Sequence, residues 1–203
     1  MKLLDFHTHR IDSRDGIISM SPREAETFTA THDTAIISVS IHPWDTSEEP
    51  DMALLERIAS LPQTVAIGEA GLDKTRGASL ERQTEIFRRQ TELSEQTRKP
   101  MIIHCVRAWD ELLAIKKETR PRQKWGIHGY RGGAELARQL ISHGFYISLG
   151  EHFNPAAAGS IPADRLLAET DESHLTIEEI AYRISLYAAP GWNAARSIRE
   201  FLK

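Results

Sequence analysis

His7 and His9 lie two apart in the run Asp5-Phe6-His7-Thr8-His9. On an extended chain, side chains at that spacing face one side, so the two imidazoles form a pair suited to a metal ion. Asp5 shares their parity one pleat deeper, where it can accept the second ring N–H of a ligating histidine. The plainer alternative is a chance H-x-H in a polar turn. Four further positions raise the same choice. Glu69 sits in Gly68-Glu69-Ala70-Gly71-Leu72-Asp73, either an exposed turn glutamate or an acid whose small neighbours let backbone approach a ligand. His104 ends Met101-Ile102-Ile103-His104 and His128 follows Trp125-Gly126-Ile127. Each is a core histidine with its polar atoms satisfied, or a ligand. Asp171, in Glu169-Thr170-Asp171, caps a turn or joins the set. Four imidazoles with carboxylates suit zinc, manganese, nickel or iron better than magnesium, which favours all-oxygen sites. His42, in His42-Pro43-Trp44, and Arg131, in a Gly-rich turn, are the contacts available to an anionic substrate. Their alternatives are a turn histidine packed beside Trp44 and a solvated arginine.

What decides between these readings is the set of elements that must carry the residues. Apolar runs rich in Ile, Val or Leu read as strands at Lys2–Phe6, Gly16–Met20, Ala35–Ile41, Thr64–Ile67, Met101–Ile103, Lys124–Ile127, Phe145–Leu149 and Leu166–Ala168. Helical spacing appears at Asp51–Ser60, Leu80–Arg98, Trp109–Glu118, Ala134–Ser142, Ile177–Tyr187 and Ala194–Leu202. Strand and helix alternate with short connections, which predicts a parallel sheet and, with eight strands, an α/β fold of the (β/α)8 TIM-barrel type. No convincing helix separates the first strand from the second or the second from the third. The expectation is therefore a trimmed barrel lacking one or two outer helices in its N-terminal half. Active sites of such barrels lie at the C-terminal ends of the strands. His7, His9, His42, Glu69, His104, His128 and Asp171 all fall at those ends. That convergence favours the metal readings over the plainer ones. His32, His143 and His152 lack supporting neighbours and are not counted. Cys105 has the opposite parity to His104 and is expected to face the outer helices.

Composition narrows the function classes. In 203 residues, 40% are apolar and 27% charged, enough for a folded core, and no linker or repeat divides the chain, so residues 1–203 read as one domain. The net charge of −4 speaks against a broad basic surface that tracks nucleic acid, but not against a small anionic substrate held by metal. A single cysteine points to a reducing compartment, and no run is apolar enough for a signal segment or membrane helix. The expectation is a cytoplasmic protein without a membrane partner. Its oligomeric state is not written in these features.

The motifs H-x-H, G-E-x-G-L-D, P-x-I-I-H, I-H-G-Y-R-G and E-T-D, in that order from about Leu4 to Asp171, resemble the TatD-type metal-dependent hydrolases. The resemblance implies a TIM barrel with two divalent ions and hydrolytic activity, with DNA phosphodiesters the usual suggested substrate. It puts one metal on His7, His9, Glu69 and Asp171 and the second on Glu69, His104 and His128, with Glu69 bridging. The chain departs from that pattern in three ways. It is shorter between His9 and His42 and after Asp171. Arg107 stands three residues beyond His104, where arginine two beyond is common. Glu172-Ser173-His174 replaces a Ser-Pro type sequence. The ligands survive these differences, while the substrate-facing loops differ.

The expected function is thus a two-metal phosphodiesterase or deoxyribonuclease. Asp171 is the group that takes a proton from the attacking water, and Glu69 shares the catalytic work. DNA ends or another phosphoester are the expected partners. The alternatives are a two-metal hydrolase of another ester or amide, and a barrel that keeps its metals without catalysis.

Overall fold

The computed structural model describes residues 3–203, so Lys2, where the first strand was expected to begin, lies outside the described residues. The described elements are β1 (Asp5–Thr8), β2 (Gly16–Met20), α1 (Pro22–Thr29), β3 (Ile37–Val39), α2 (Met52–Ala59), β4 (Thr64–Asp73), α3 (Leu80–Thr97), β5 (Met101–Val106), α4 (Trp109–Thr119), β6 (Trp125–Ile127), α5 (Ala134–Ser142), β7 (Tyr146–Leu149), α6 (Pro155–Ala158), β8 (Leu166–Ala168), α7 (Ile177–Ser185) and α8 (Ala194–Phe201). The sheet order is β1 to β8 without transposition, the order of the (β/α)8 class.

The residues divide into two compact units. The first runs to Ile18 and resumes at Trp125–Lys203. In it β1 pairs with β2, β6 with β7 and β7 with β8, all parallel. β8 continues onto β1 through the parallel bridge Thr8↔Asp171. The Asp171 amide donates to the His7 carbonyl at 2.9 Å and the His9 amide to the Asp171 carbonyl at 3.3 Å. Its core is aromatic. Phe201 of the last helix meets Phe6 edge to face at 5.0 Å between centroids and Tyr146 at 5.3 Å. The second unit, Ser19–Lys124, pairs β3, β4 and β5 in parallel over a core that includes Val39, Leu55, Ile67, Phe87 and Ile103.

Three expectations change. A helix does follow β2. Ser21 caps it, donating backbone N–H to Glu24 Oε2 at 2.9 Å while its own Oγ accepts from the Glu24 amide at 3.4 Å. Pro22 holds the first turn. Only Pro22, Ala25 and Thr29 of this helix are buried, so its apolar periodicity is faint and its start signal is the stronger cue. Between β1 and β2 no helix occurs among the described residues, which leaves one outer helix missing. β4 and β5 are longer than their apolar cores, so Glu69 sits on a strand rather than in a turn and His104 lies within β5 rather than at its end. The one-turn α6, capped by Asn154 with proline at its start, was also not anticipated.

Candidate active site

In the first unit, period-two spacing on β1 does what the sequence suggests. His7 and His9 both turn Nε2 toward Asp171 Oδ1, at 3.7 and 3.6 Å. The His7 ring also lies 4.5 Å from that of His128, and His7, His128 and Asp171 each offer a donor atom within 4.8 Å of the others. Asp171 has φ 52°, a left-handed backbone that aspartate tolerates better than most residues. This places its carboxylate off the end of the strand. Imidazole nitrogens converging with one carboxylate oxygen fit a transition-metal ion.

The carboxylates behind these ligands act as supports. Asp5 accepts from the Thr170 amide at 2.9 Å, the Thr170 hydroxyl at 2.6 Å and the His7 amide at 3.3 Å, so it ties β8 to β1 under the histidine pair. Burial outweighs these donors and pushes its carboxyl up to about 7. Glu169, fully buried, has Oε1 3.6 Å from His128 Nδ1 and accepts from the Gly129 amide at 2.5 Å. Burial alone would raise its carboxyl, but His128 and His7 outweigh that and hold it below the usual glutamate range. A buried carboxylate facing Nδ1 favours one ring orientation, in which Nε2 is the atom that could ligate a metal. Beside Asp171 opens a cavity of about 300 Å³ that Arg131, His152, Ser173 and His174 also line. The Ser173 hydroxyl donates to Glu151 at 2.5 Å, and Arg10 donates to the carbonyls of Ser173 and Leu175. Those contacts hold the loop that walls the cavity.

The second unit carries Glu69, His104 and His42, whose donor atoms also lie within 4.8 Å of one another. His104 Nδ1 is 2.7 Å from Glu69 Oε1, and its Nε2 is 3.4 Å from Asp73 Oδ2. Asp73 therefore stands to His104 as Glu169 stands to His128. Burial would raise Asp73, but hydrogen bonds from Thr75, Trp44 and His104 bring it down to about 2, so it stays ionised. His42 Nδ1 accepts the Trp44 amide at 3.2 Å. A neutral imidazole accepting at Nδ1 carries its proton on Nε2, and that atom lies 3.3 Å from Glu69 Oε1. His42 is thereby set as a hydrogen-bond donor, in keeping with a substrate contact rather than a ligand.

Gly71 sets the register between the two strands. Its Cα pairs with His104, its φ is +156°, and a Cβ there would lie 1.9 Å from the His104 carbonyl oxygen. No side chain fits. Gly71→Ala is expected to cost on the order of 3 kcal/mol, from strain plus overpacking. That lowers the thermal midpoint by roughly 6–12 °C for a chain of this size. A thermal melt checks it.

Each sequence-derived site residue thus has a place. His7, His9, His128 and Asp171 lie together in the first unit with Arg131 on the adjoining cavity, and Glu69, His104 and His42 lie together in the second. Glu169 and Asp73 are not singled out by the sequence, and His152, set aside there, lines the cavity. The first two share strand parity with Asp171 and Glu69, a usable signal. His152 had none, because its loop brings it to the cavity.

Strands in (β/α)8 order with histidine and carboxylate sets at their C-terminal ends that could hold metal ions define the class of the fold, a TIM-type barrel. The chain belongs to the TatD related DNase family, whose model matches residues 16–181. It is 35% identical over 156 residues to the Bacillus subtilis uncharacterized metal-dependent hydrolase YabD, covering 71% of this chain and 61% of that protein. It is 33% identical over 146 residues to TatD of Erwinia tasmaniensis, named a 3'-5' ssDNA/RNA exonuclease, covering 66% and 56%. The crystal structure of YjjV, a TatD homologue from Escherichia coli K12, superposes with a TM-score of 0.77 at 18% identity over 99% of this chain and 95% of that one. That likeness shows the fold. The chain spans about six-tenths of the length of the curated relatives it matches.

Proposed function

We propose that the protein is a metal-dependent phosphodiesterase acting on nucleic acid ends, with one divalent ion on the His7–His9–His128–Asp171 set and one on Glu69–His104. The observation that carries this reading is the convergence of His7 and His9 Nε2 on Asp171 Oδ1 in a family whose relatives include a named exonuclease. Bound ions of this kind lower the pKa of a coordinated water and take up charge on the attacked oxygen. The donor chemistry favours Zn, Mn, Ni or Fe over Mg. The protein's own groups do the rest. Asp171 takes the proton of the attacking water, Arg131 contacts the anionic substrate, and Glu169 and Asp73 hold the ligating rings. The His42 Nε2–H, which points at Glu69 Oε1 in the protein alone, turns to the substrate when Glu69 is engaged by an ion. A single cysteine in 203 residues suits a reducing cytoplasm, and burial pushes the Cys105 thiol up to about 12, which makes it unreactive. Among the described residues no helix is long and apolar enough to cross a membrane.

The test is metal content of the purified protein together with a panel of single-stranded oligonucleotides, chromogenic phosphodiesters, phosphomonoesters and carboxylic esters. We expect two transition-metal ions per chain and cleavage of the oligonucleotides. Protein that neither holds nor responds to Mn, Zn or Ni rejects the reading. Arg131→Ala should raise KM roughly tenfold, the scale of one hydrogen bond to a charged group. Metal occupancy should not change.

A further inference from the structure

Trp44 is a large aromatic side chain left 44% exposed beside the Glu69–His104 set. Its indole meets the His42 ring edge to face at 4.7 Å and the His104 ring at 5.8 Å between centroids. Its Nε1–H donates to Asp73 Oδ2 at 2.7 Å, which fixes the ring plane. The Arg76 guanidinium lies over the ring at 4.4 Å from the centroid. The loop that presents Arg76 is built for that position. Gly77 has φ +83°, and a Cβ there would lie 2.1 Å from the Pro43 carbonyl oxygen. Gln83 Nε2 donates to the carbonyls of Asp73, Arg76 and Ala78 at 2.8–2.9 Å. The Ala78 amide donates to Thr46, whose hydroxyl donates to the Pro43 carbonyl. Among the described residues no carboxylate pairs with Arg76, so its charge stays available.

We infer that Trp44 and Arg76 form the base-recognition platform of the site, stacking the nucleobase next to the scissile phosphate of a single-stranded chain. The inference rests on the phosphodiesterase reading and names the residues that select its substrate. A rigid indole face binds any base through stacking and tolerates sequence. The Arg76 guanidinium covers one face of the ring at 4.4 Å from the centroid, so the base stacks on the part of the indole left exposed, and the guanidinium beside it is a partner for the neighbouring phosphate. A base inside a duplex has both faces covered by its neighbours, so the platform selects unpaired ends. Trp44 is partly exposed and its ring lies 5.8 Å from that of His104, so a base stacked on it brings its own phosphate near the Glu69–His104 set.

The experiment compares a single-stranded oligonucleotide with the same chain made abasic at the residue next to the scissile phosphate. KM and binding, by fluorescence anisotropy of the labelled strand, are measured for the wild type, Trp44→Leu and Trp44→Phe, with metal content determined in each sample. For the wild type, loss of the base should weaken KM and binding roughly 5–150-fold, the range of one base–aromatic stack. Trp44→Leu should bind both strands alike, at the wild-type abasic level. Trp44→Phe, which lacks the N–H to Asp73 but keeps a ring, should retain most of the discrimination. Equal wild-type KM and binding for both strands overturns the platform while leaving the phosphodiesterase reading intact. So does full discrimination by Trp44→Leu, or loss of discrimination by Trp44→Phe with intact metal, which would make the N–H the functional part. A wild type that cleaves other esters and neither binds nor cleaves single strands overturns both.

Discussion

Asp171→Asn should lower turnover by about 10²–10⁴-fold, the usual scale for losing a general base, in a protein that still folds. The backbone explains why folding survives. The Asp171 backbone is held by its own amide on the His7 carbonyl and by the His9 amide on its carbonyl, and both bonds survive the substitution. Its positive φ is one that asparagine adopts as readily as aspartate. What changes is the charge and basicity at the oxygen facing His7 and His9 Nε2. The carboxamide cannot take a proton at neutral pH. Because the same oxygen is a proposed ligand, the loss can exceed that range, so metal content has to be measured in the assayed sample. The ion on Glu69–His104 should remain. A variant with full turnover and both ions would remove Asp171 from the proton-transfer step and leave the fold untouched.

The sequence was most legible where one local rule acted alone. Alternation on β1 brings His7 and His9 to one side whatever surrounds them, and the structure keeps them together on Asp171. Glu69 was harder. Gly68 and Gly71 read locally as turn residues, yet β4 runs through them to Asp73, because tertiary pairing with β5 needs bare backbone opposite His104. The helix after β2 was missed for the opposite reason. Its evidence is the Ser21–Glu24 box rather than an apolar stripe. Asp73 and Glu169 escaped notice because they act on rings supplied by other strands, and a partner across a sheet leaves no mark in local spacing. The donor state of His42 depends on a single backbone amide, that of Trp44. No residue pattern encodes that bond.

Glu69→Gln should cost about three orders of magnitude in rate together with the loss of bound metal. Glu69 is 6% exposed, with Oε1 2.7 Å from His104 Nδ1 and 3.3 Å from His42 Nε2. A carboxylate at this depth would be the negative charge that offsets the proposed cation on His104, since a buried ion needs a paired partner. Glutamine keeps the shape and the hydrogen-bond acceptor, so His42 keeps a partner and the fold is expected to hold. The charge is gone, however, and Lewis-acid stabilisation worth several kcal/mol in the transition state goes with the ion, at tenfold per 1.36 kcal/mol. Elemental analysis and a thermal melt on the same sample separate the causes. An unchanged melt measured under chelation, with lowered metal and lowered rate, is the expected outcome. If only the ion of this set is lost, Glu69 serves one ion. If both are lost, it serves two, as the family pattern implies. Retention of all metal with a wild-type rate would take Glu69 out of the site, leaving His104 paired with Asp73 as a purely structural contact.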